Sequence, residues 1–156
     1  MEDEVRGTDA SRLVEVGDKE VTVRVAVADG TVVMTPDACR RLLAGSPKGD
    51  PLEAARVAGL LAMKRTADLL PFCHPVALTG GEVSLAPDAD AGVIRVRASA
   101  RAADRTGVEM EALTAVAVAA LSLYDTAKAF DRAARIDGLR LLRKSGGSSG
   151  EYVASD

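Results

Sequence analysis

The sequence predicts an α+β domain, an antiparallel sheet with helices packed on one face. Three observations lead there. Val21, Val23, Val25 and Val27 alternate with mostly polar positions over residues 20–28, the period of a half-buried strand. Thr106-Gly-Val-Glu109 reads as a capping box before a long alanine-rich stretch without a helix breaker. Between these lie two strand-like stretches, about 76–86 and 92–100, joined by a turn over Asp88 to Gly92.

The elements follow in order. Asp29-Gly30 after the first strand is a turn or a bulge, and the apolar Thr31 to Met34 continues from it. Thr35 caps a short helix with Pro36 at its first position, closing at Gly45. Asp50-Pro51-Leu52-Glu53 opens a second helix with its own capping box, running to about Ala67 and ended by Leu70-Pro71. Ala55, Ala58, Gly59 and Ala62 give it a small-residue face suited to close packing. The long helix that follows the Thr106–Glu109 box reaches about residue 132, and residues 138–143 form a last short strand. The order β, α, β, β, α, β is the ferredoxin-like split βαβ pattern.

Composition bounds what such a domain does. At 156 residues, 47% hydrophobic and 28% charged, the chain makes one globular domain with a core of its own. No run of about 18 apolar residues indicates a membrane span. Residues 1–11 read as a mobile, acidic tail without the basic start and apolar stretch of a secretory leader. A net charge of −3 and 3% aromatics argue against general nucleic-acid or membrane-surface binding. Cys39 and Cys73 form no CxxC pair and no metal spacing, so a reduced, cytoplasmic setting is expected, with no metal site. The positive charge is divided unevenly, 15 Arg to 5 Lys. In an arginine-preferring background, a retained lysine marks either a chance surface charge or a place where an ammonium must give up a proton.

Several segments carry candidate chemistry. Ser46-Pro-Lys48-Gly49-Asp50 precedes a helix N-terminus, where free amides favour an anion beside Lys48; equally, Pro and Gly only make the turn. The prolines of Leu70-Pro71-Phe72-Cys73-His74-Pro75 hold the only histidine in one direction, for substrate contact, proton transfer or a structural role. Asp125 and Lys128 share a helix face and pair, either as a tuned acid/base couple or as an ordinary surface bridge. Glu111 lies fourteen residues before Asp125, about 21 Å along the axis, so the two reach one small ligand only if a site is shared between subunits. Lys144-Ser-Gly-Gly-Ser-Ser-Gly150 can wrap a phosphate or form a loose tail.

Taken together, these segments resemble the MoaC family of molybdenum-cofactor biosynthesis. The resemblance is carried by Lys48-Gly-Asp50, Ala55-Arg-Val-Ala-Gly59, Lys64-Arg-Thr66, Pro71-Phe-Cys-His-Pro75, Thr106-Gly-Val-Glu-Met-Glu-Ala-Leu-Thr114, Tyr124-Asp125 with Lys128-Ala129, and Lys144-Ser-Gly-Gly147. It implies one MoaC-like catalytic domain over 12–156 and a synthase turning 3′,8-cyclo-7,8-dihydro-GTP into cyclic pyranopterin monophosphate and pyrophosphate. It also implies a homohexamer, a trimer of dimers with active sites at subunit interfaces. No tightly bound cofactor is implied, and Mg²⁺ enters only as a companion of the triphosphate. By motif, Lys48 and Lys128 are the general acid/base pair and Asp125 the acidic catalytic residue. Phe72, Cys73, His74, Met110 and Glu111 contact substrate, while Lys64, Lys144 and Arg24 meet the phosphates or the ring system. The matched positions include four of the five lysines, and Lys19 falls more loosely in a shared N-terminal segment. The chain departs from the pattern at Arg12-Leu-Val-Glu-Val16, Pro51, Phe72, Thr126-Ala127 and Ser148, none of them a catalytic position. The competing reading is a non-catalytic ferredoxin-like module that binds a nucleotide and regulates a partner.

Overall fold

The structure, a computed structural model, describes residues 10–155; most of the tail expected over 1–11 lies outside the described residues. Its elements are β1 (Thr22–Val33), α1 (Pro36–Leu43), α2 (Pro51–Lys64), α3 (Thr66–Leu69), β2 (Leu78–Asp88), β3 (Val93–Asp104), α4 (Glu109–Ala127), β4 (Arg135–Ser145) and β5 (Tyr152–Val153). They form one sheet in the order β2-β3-β1-β4-β5, antiparallel at every pairing, with the helices on one side. The first four strands have the ferredoxin-like order that the sequence pattern implies. The two-residue β5, an addition to that pattern, pairs with the end of β4.

The first strand runs unbroken through Asp29-Gly30, with register shifts against β4 at Val27/Ala28 and Asp29/Thr31, so the bulge is realised and the turn is not. Its buried face is the opposite of the one the valines suggested. Ala26, Ala28 and Val32 are buried, while Val21 and Val23 are exposed. The reason is the helix above. Val116 of α4 lies so near β1 that a Cβ on Gly30 would come within 3.1 Å of its Cγ1. Only small residues admit a helix at that distance, so the valines turn to the helix-free side of the sheet. Between α2 and α4 the same device recurs. A Cβ on Gly59 would stand 3.0 Å from both the Ala115 carbonyl oxygen and Val83 Cγ2. The core beneath is alanine-rich, filled by Leu42, Ile94, Val96 and Leu123.

Helix ends show which local signals prevail. Thr35 Oγ1 accepts from the Ala38 amide at 3.2 Å, capping α1 as expected. Asp50 Oδ1 accepts from the Leu52 and Glu53 amides at 2.9 and 3.4 Å, whereas Glu53 turns to Arg56 at 3.0 Å, so that capping box is only half made. α2 stops at Lys64, short of 67, and the buried Thr66 hydroxyl donates to the Ala62 or Met63 carbonyl, at 3.2 and 3.0 Å. At α4 the capping box fails altogether. Val108 is the N-cap residue, without a side-chain cap, and the Glu109 carboxylate folds back over Gly107. α4 also ends at Ala127, five residues before 132, and passes into turns in which the Phe130 and Asp131 amides both donate to the Ala127 carbonyl, at 2.9 and 2.8 Å. Asp131 then accepts from the Thr35 amide at 3.0 Å and ties this corner to α1.

Candidate active site

The two ends of α4 carry two separate groups of polar side chains. At the C-terminal end, Asp125 sits on the last turn and Lys128 is the C-cap residue. Lys128 Nζ donates to Asp125 Oδ1 at 2.8 Å, and Lys48 Nζ approaches Asp125 Oδ2 at 3.9 Å from the loop before α2. One carboxylate thus gathers two ammonium groups from segments far apart in sequence. The hydrogen bond and charge of Lys128 hold the Asp125 carboxyl below its ordinary range, with Lys48 adding to the effect. Asp125 in turn pushes the Lys128 ammonium up, so in the protomer it keeps its proton. The paired carboxylate sets the direction of that shift.

At the other end of α4, the loop after α3 meets the first helical turn around a cavity of about 310 Å³. Phe72, Cys73 and His74 line one wall, and Thr106, Gly107, Glu109, Met110 and Glu111 the other. Glu111 is 5% exposed, and burial pushes its carboxyl up, helped by the charges of Glu109 and Asp104. Burial, then Glu111, pushes the Cys73 thiol up as well.

The raised Glu111 has a measurable consequence. Below the ordinary carboxylate pKa both folded and unfolded chains are protonated there, and burial costs nothing. As pH rises through the folded value, the unfolded chain ionises more readily and stability is lost. Glu111→Gln is therefore expected to raise the melting temperature at pH 7 but not at pH 4. Thermal melts of both proteins at the two pH values check this; equal shifts at both would contradict it.

Arg24 and Lys144 border this second group. Arg24, 9% exposed, donates through Nε to the Asp104 carbonyl at 3.2 Å and through Nη2 to the Arg105 carbonyl at 3.1 Å. Gly146 and Gly147, with φ of 94° and 80°, fold against Val23 and the Arg24 guanidinium, where a Cβ would have no room. Lys144 Nζ lies 3.7 Å from Glu109 Oε1 and contacts the Ser149 hydroxyl, which orders the start of the glycine-rich segment.

A family model described as the MoaC family matches residues 13–147. The chain belongs to the MoaC family. Named relatives agree with the match. A Roseiflexus castenholzii protein called cyclic pyranopterin monophosphate synthase is 52% identical over 147 residues, covering 94% of this chain and 93% of its own. Relatives of the same name are 54% identical in Parvibaculum lavamentivorans, covering 93% and 91% of the two chains, and 50% identical in Brucella ovis, covering 96% and 91%.

The MoaC motifs fall into three places. Lys48, Asp125 and Lys128 meet at the C-terminal end of α4. Phe72, Cys73, His74, Met110 and Glu111 meet at its N-terminal end, with Arg24 and Lys144 alongside. Lys64 stands apart from both, in an apolar groove with Val57, Leu60 and Leu61 of α2. Thr106, Gly107 and Glu109 belong to the cavity wall and Ser149 to the Lys144 contact, although the motif reading assigned them no site role. The sequence pointed away from Glu109, because Thr106 stands at capping-box spacing and gives that carboxylate a purely helical role, which the structure does not realise.

Proposed function

We propose that this chain is a cyclic pyranopterin monophosphate synthase, converting 3′,8-cyclo-7,8-dihydro-GTP to cyclic pyranopterin monophosphate and pyrophosphate in molybdenum cofactor biosynthesis. The observation that carries the reading is its identity of about half with relatives of that name, over more than nine-tenths of the chain. The reaction is cytoplasmic and needs no tightly bound cofactor; Mg²⁺ arrives on the triphosphate.

The geometry supports distinct tasks for the lysines. Lys128, held as an ammonium by Asp125, is positioned to donate a proton as the ring rearranges. Lys48, 3.9 Å from the same carboxylate, is free to swing toward substrate and exchange protons there. Phe72, Cys73, His74, Met110 and Glu111 receive the ring system in a cavity at the small end of the usual ligand-site range. Lys144 and Arg24, alongside the cavity, supply positive charge to the triphosphate and to the leaving pyrophosphate, and Lys64, which stands apart from both groups in its own chain, joins them from another copy. That charge is local, which reconciles a polyanionic substrate with a net charge of −3.

The two ends of one α4 lie about 21 Å apart, too far for one substrate to touch both. We therefore assign each active site to two copies, one supplying the Lys48–Asp125–Lys128 group and the other the cavity, within a homohexamer built as a trimer of dimers. The test of the activity is turnover of the cyclised dihydro-GTP by the purified protein, following pyrophosphate and pterin together. Both products are expected in equal amounts. A folded protein that binds the substrate without turnover would instead identify a regulatory binding module.

A further inference from the structure

The helix-free face of the sheet carries its charges in register. Strand pairing lines up two neighbouring rows across it. In one row Glu82, Ser99, Val27 and Arg143 stand side by side on β2, β3, β1 and β4. In the next row Ser84, Arg97, Asp29 and Arg140 do the same. All but Asp29 line one cavity of about 490 Å³, within the usual range for a ligand site, with Leu142 and Val153 at its β4 side. None of them is among the residues gathered at the two ends of α4. The guanidiniums in the cavity have donors to spare. Asp29 stands between Arg97 and Arg140 at 3.9 and 3.6 Å, balancing one charge at distances longer than a hydrogen bond. Arg140 spends one N–H on the Ser155 carbonyl at 3.2 Å. Among the described residues Arg143 has no ion pair and no side-chain hydrogen bond. Arg95 and Arg101 flank Arg97 on the same face of β3 and add to the positive field. Asp137, the acid of β4, is taken by Arg135 at 2.8 Å. Glu82 is set apart, three strand spacings from Arg143, about 14 Å.

We propose that this cavity binds a nucleoside triphosphate, its phosphates on Arg97, Arg140 and Arg143 and the amino edge of its base on Glu82. Guanidiniums match phosphate oxygens in geometry as well as in charge. A carboxylate among the phosphates would repel them, whereas at the far end of the row it accepts hydrogen bonds from a base amino group. Val27, between the two ends, gives the sugar and the ring an apolar floor. A span of about 14 Å is too long for inorganic phosphate or pyrophosphate to engage both ends, and an extended nucleotide covers it. The inference stands apart from the synthase reading, because it uses no residue assigned to that site.

Isothermal titration of the full chain with ATP, and separately with tripolyphosphate, tests both ends. ATP is expected to bind, and to bind more tightly than tripolyphosphate. Arg143→Ala removes an exposed side chain, so it should leave the melting temperature in place while weakening ATP about tenfold, the size of a lost charged hydrogen bond. Glu82→Ala should weaken ATP and leave tripolyphosphate unchanged or bound more tightly. Photolabelling with an azido-ATP reads the location. Label is expected on β2 or β3, beside Glu82 and Ser99, and should persist in Lys128→Ala. No binding of ATP, equal affinity in the parent and Arg143→Ala, or tripolyphosphate bound as tightly as ATP would each overturn the proposal. So would an ATP affinity that Glu82→Ala leaves unchanged, or label confined to the cavity of Phe72, His74 and Met110.

Discussion

Lys128→Ala is expected to lower kcat by about 10³-fold, the size of a lost general acid. The side chain is exposed and, among the described residues, its one ion pair is with Asp125. As the C-cap residue it serves α4 through its backbone amide, bonded to the Tyr124 carbonyl at 2.9 Å. Alanine keeps that bond, so the melting temperature should hold while turnover falls. Lys128→Arg separates charge from proton transfer: it preserves the ion pair with Asp125 but does not release a proton near neutral pH. It is expected to be as inactive as the alanine variant. Recovery of activity in Lys128→Arg would show that the site needs only the charge. The stabilisation from the depressed Asp125 carboxyl is present above the ordinary carboxylate range and lost as pH falls through its folded value. That from the raised Lys128 is complete below the ordinary lysine range and lost as pH rises through its folded value. Between those limits the pair stays ionised, so a pH–rate transition near neutrality belongs to other groups.

Arg24→Ala is expected to cost about 3 kcal/mol of stability and most of the turnover. Two charge-assisted hydrogen bonds, each worth roughly 1.5 kcal/mol or more, hold the Asp104 and Arg105 carbonyls. Those carbonyls begin the loop that delivers Thr106, Gly107, Glu109, Met110 and Glu111 to the cavity. Removing the guanidinium leaves the carbonyls short of partners and opens a void beside Gly147. For a domain of this size 3 kcal/mol corresponds to a fall of roughly 6–12 °C in melting temperature. Arg24→Lys should recover little, because one ammonium does not reproduce the planar fork that spans both carbonyls. Differential scanning calorimetry of the three proteins checks this, and a melting temperature within 2 °C of wild type for Arg24→Ala, about 0.5–1 kcal/mol, would contradict it.

Strand alternation, helix-capping residues and the element order were legible in the sequence because each is a local signal. The face of β1 was not. Valine outranks alanine as a core residue, yet the helix above approaches too closely for valine, as Gly30 and Val116 show. The capping box at Thr106 was misleading for a related reason: Glu109 has a stronger partner in Lys144, thirty-five residues away in sequence. The Asp125–Lys128 pair was readable from helical spacing, and the fold alone brings Lys48 to the same carboxylate. Arg24 gave no local hint of its role, since the carbonyls it binds lie 80 and 81 residues downstream. The 14-residue gap from Glu111 to Asp125 was the sequence feature that spoke to assembly, and the structure keeps it as a gap within one chain.

That gap makes a mixing experiment decisive. Lys128→Ala disables one end of α4 and His74→Ala the cavity at the other, and each protein alone is expected to be inactive. When the two are dissociated together at equal amounts and reassembled, half the dimers contain both variants, and one of the two sites in each such dimer draws both of its halves from intact ends. Turnover near a quarter of wild type is therefore expected. A mixture as inactive as its components, although mass spectrometry shows that the chains have exchanged, would mean that each site is built within one chain.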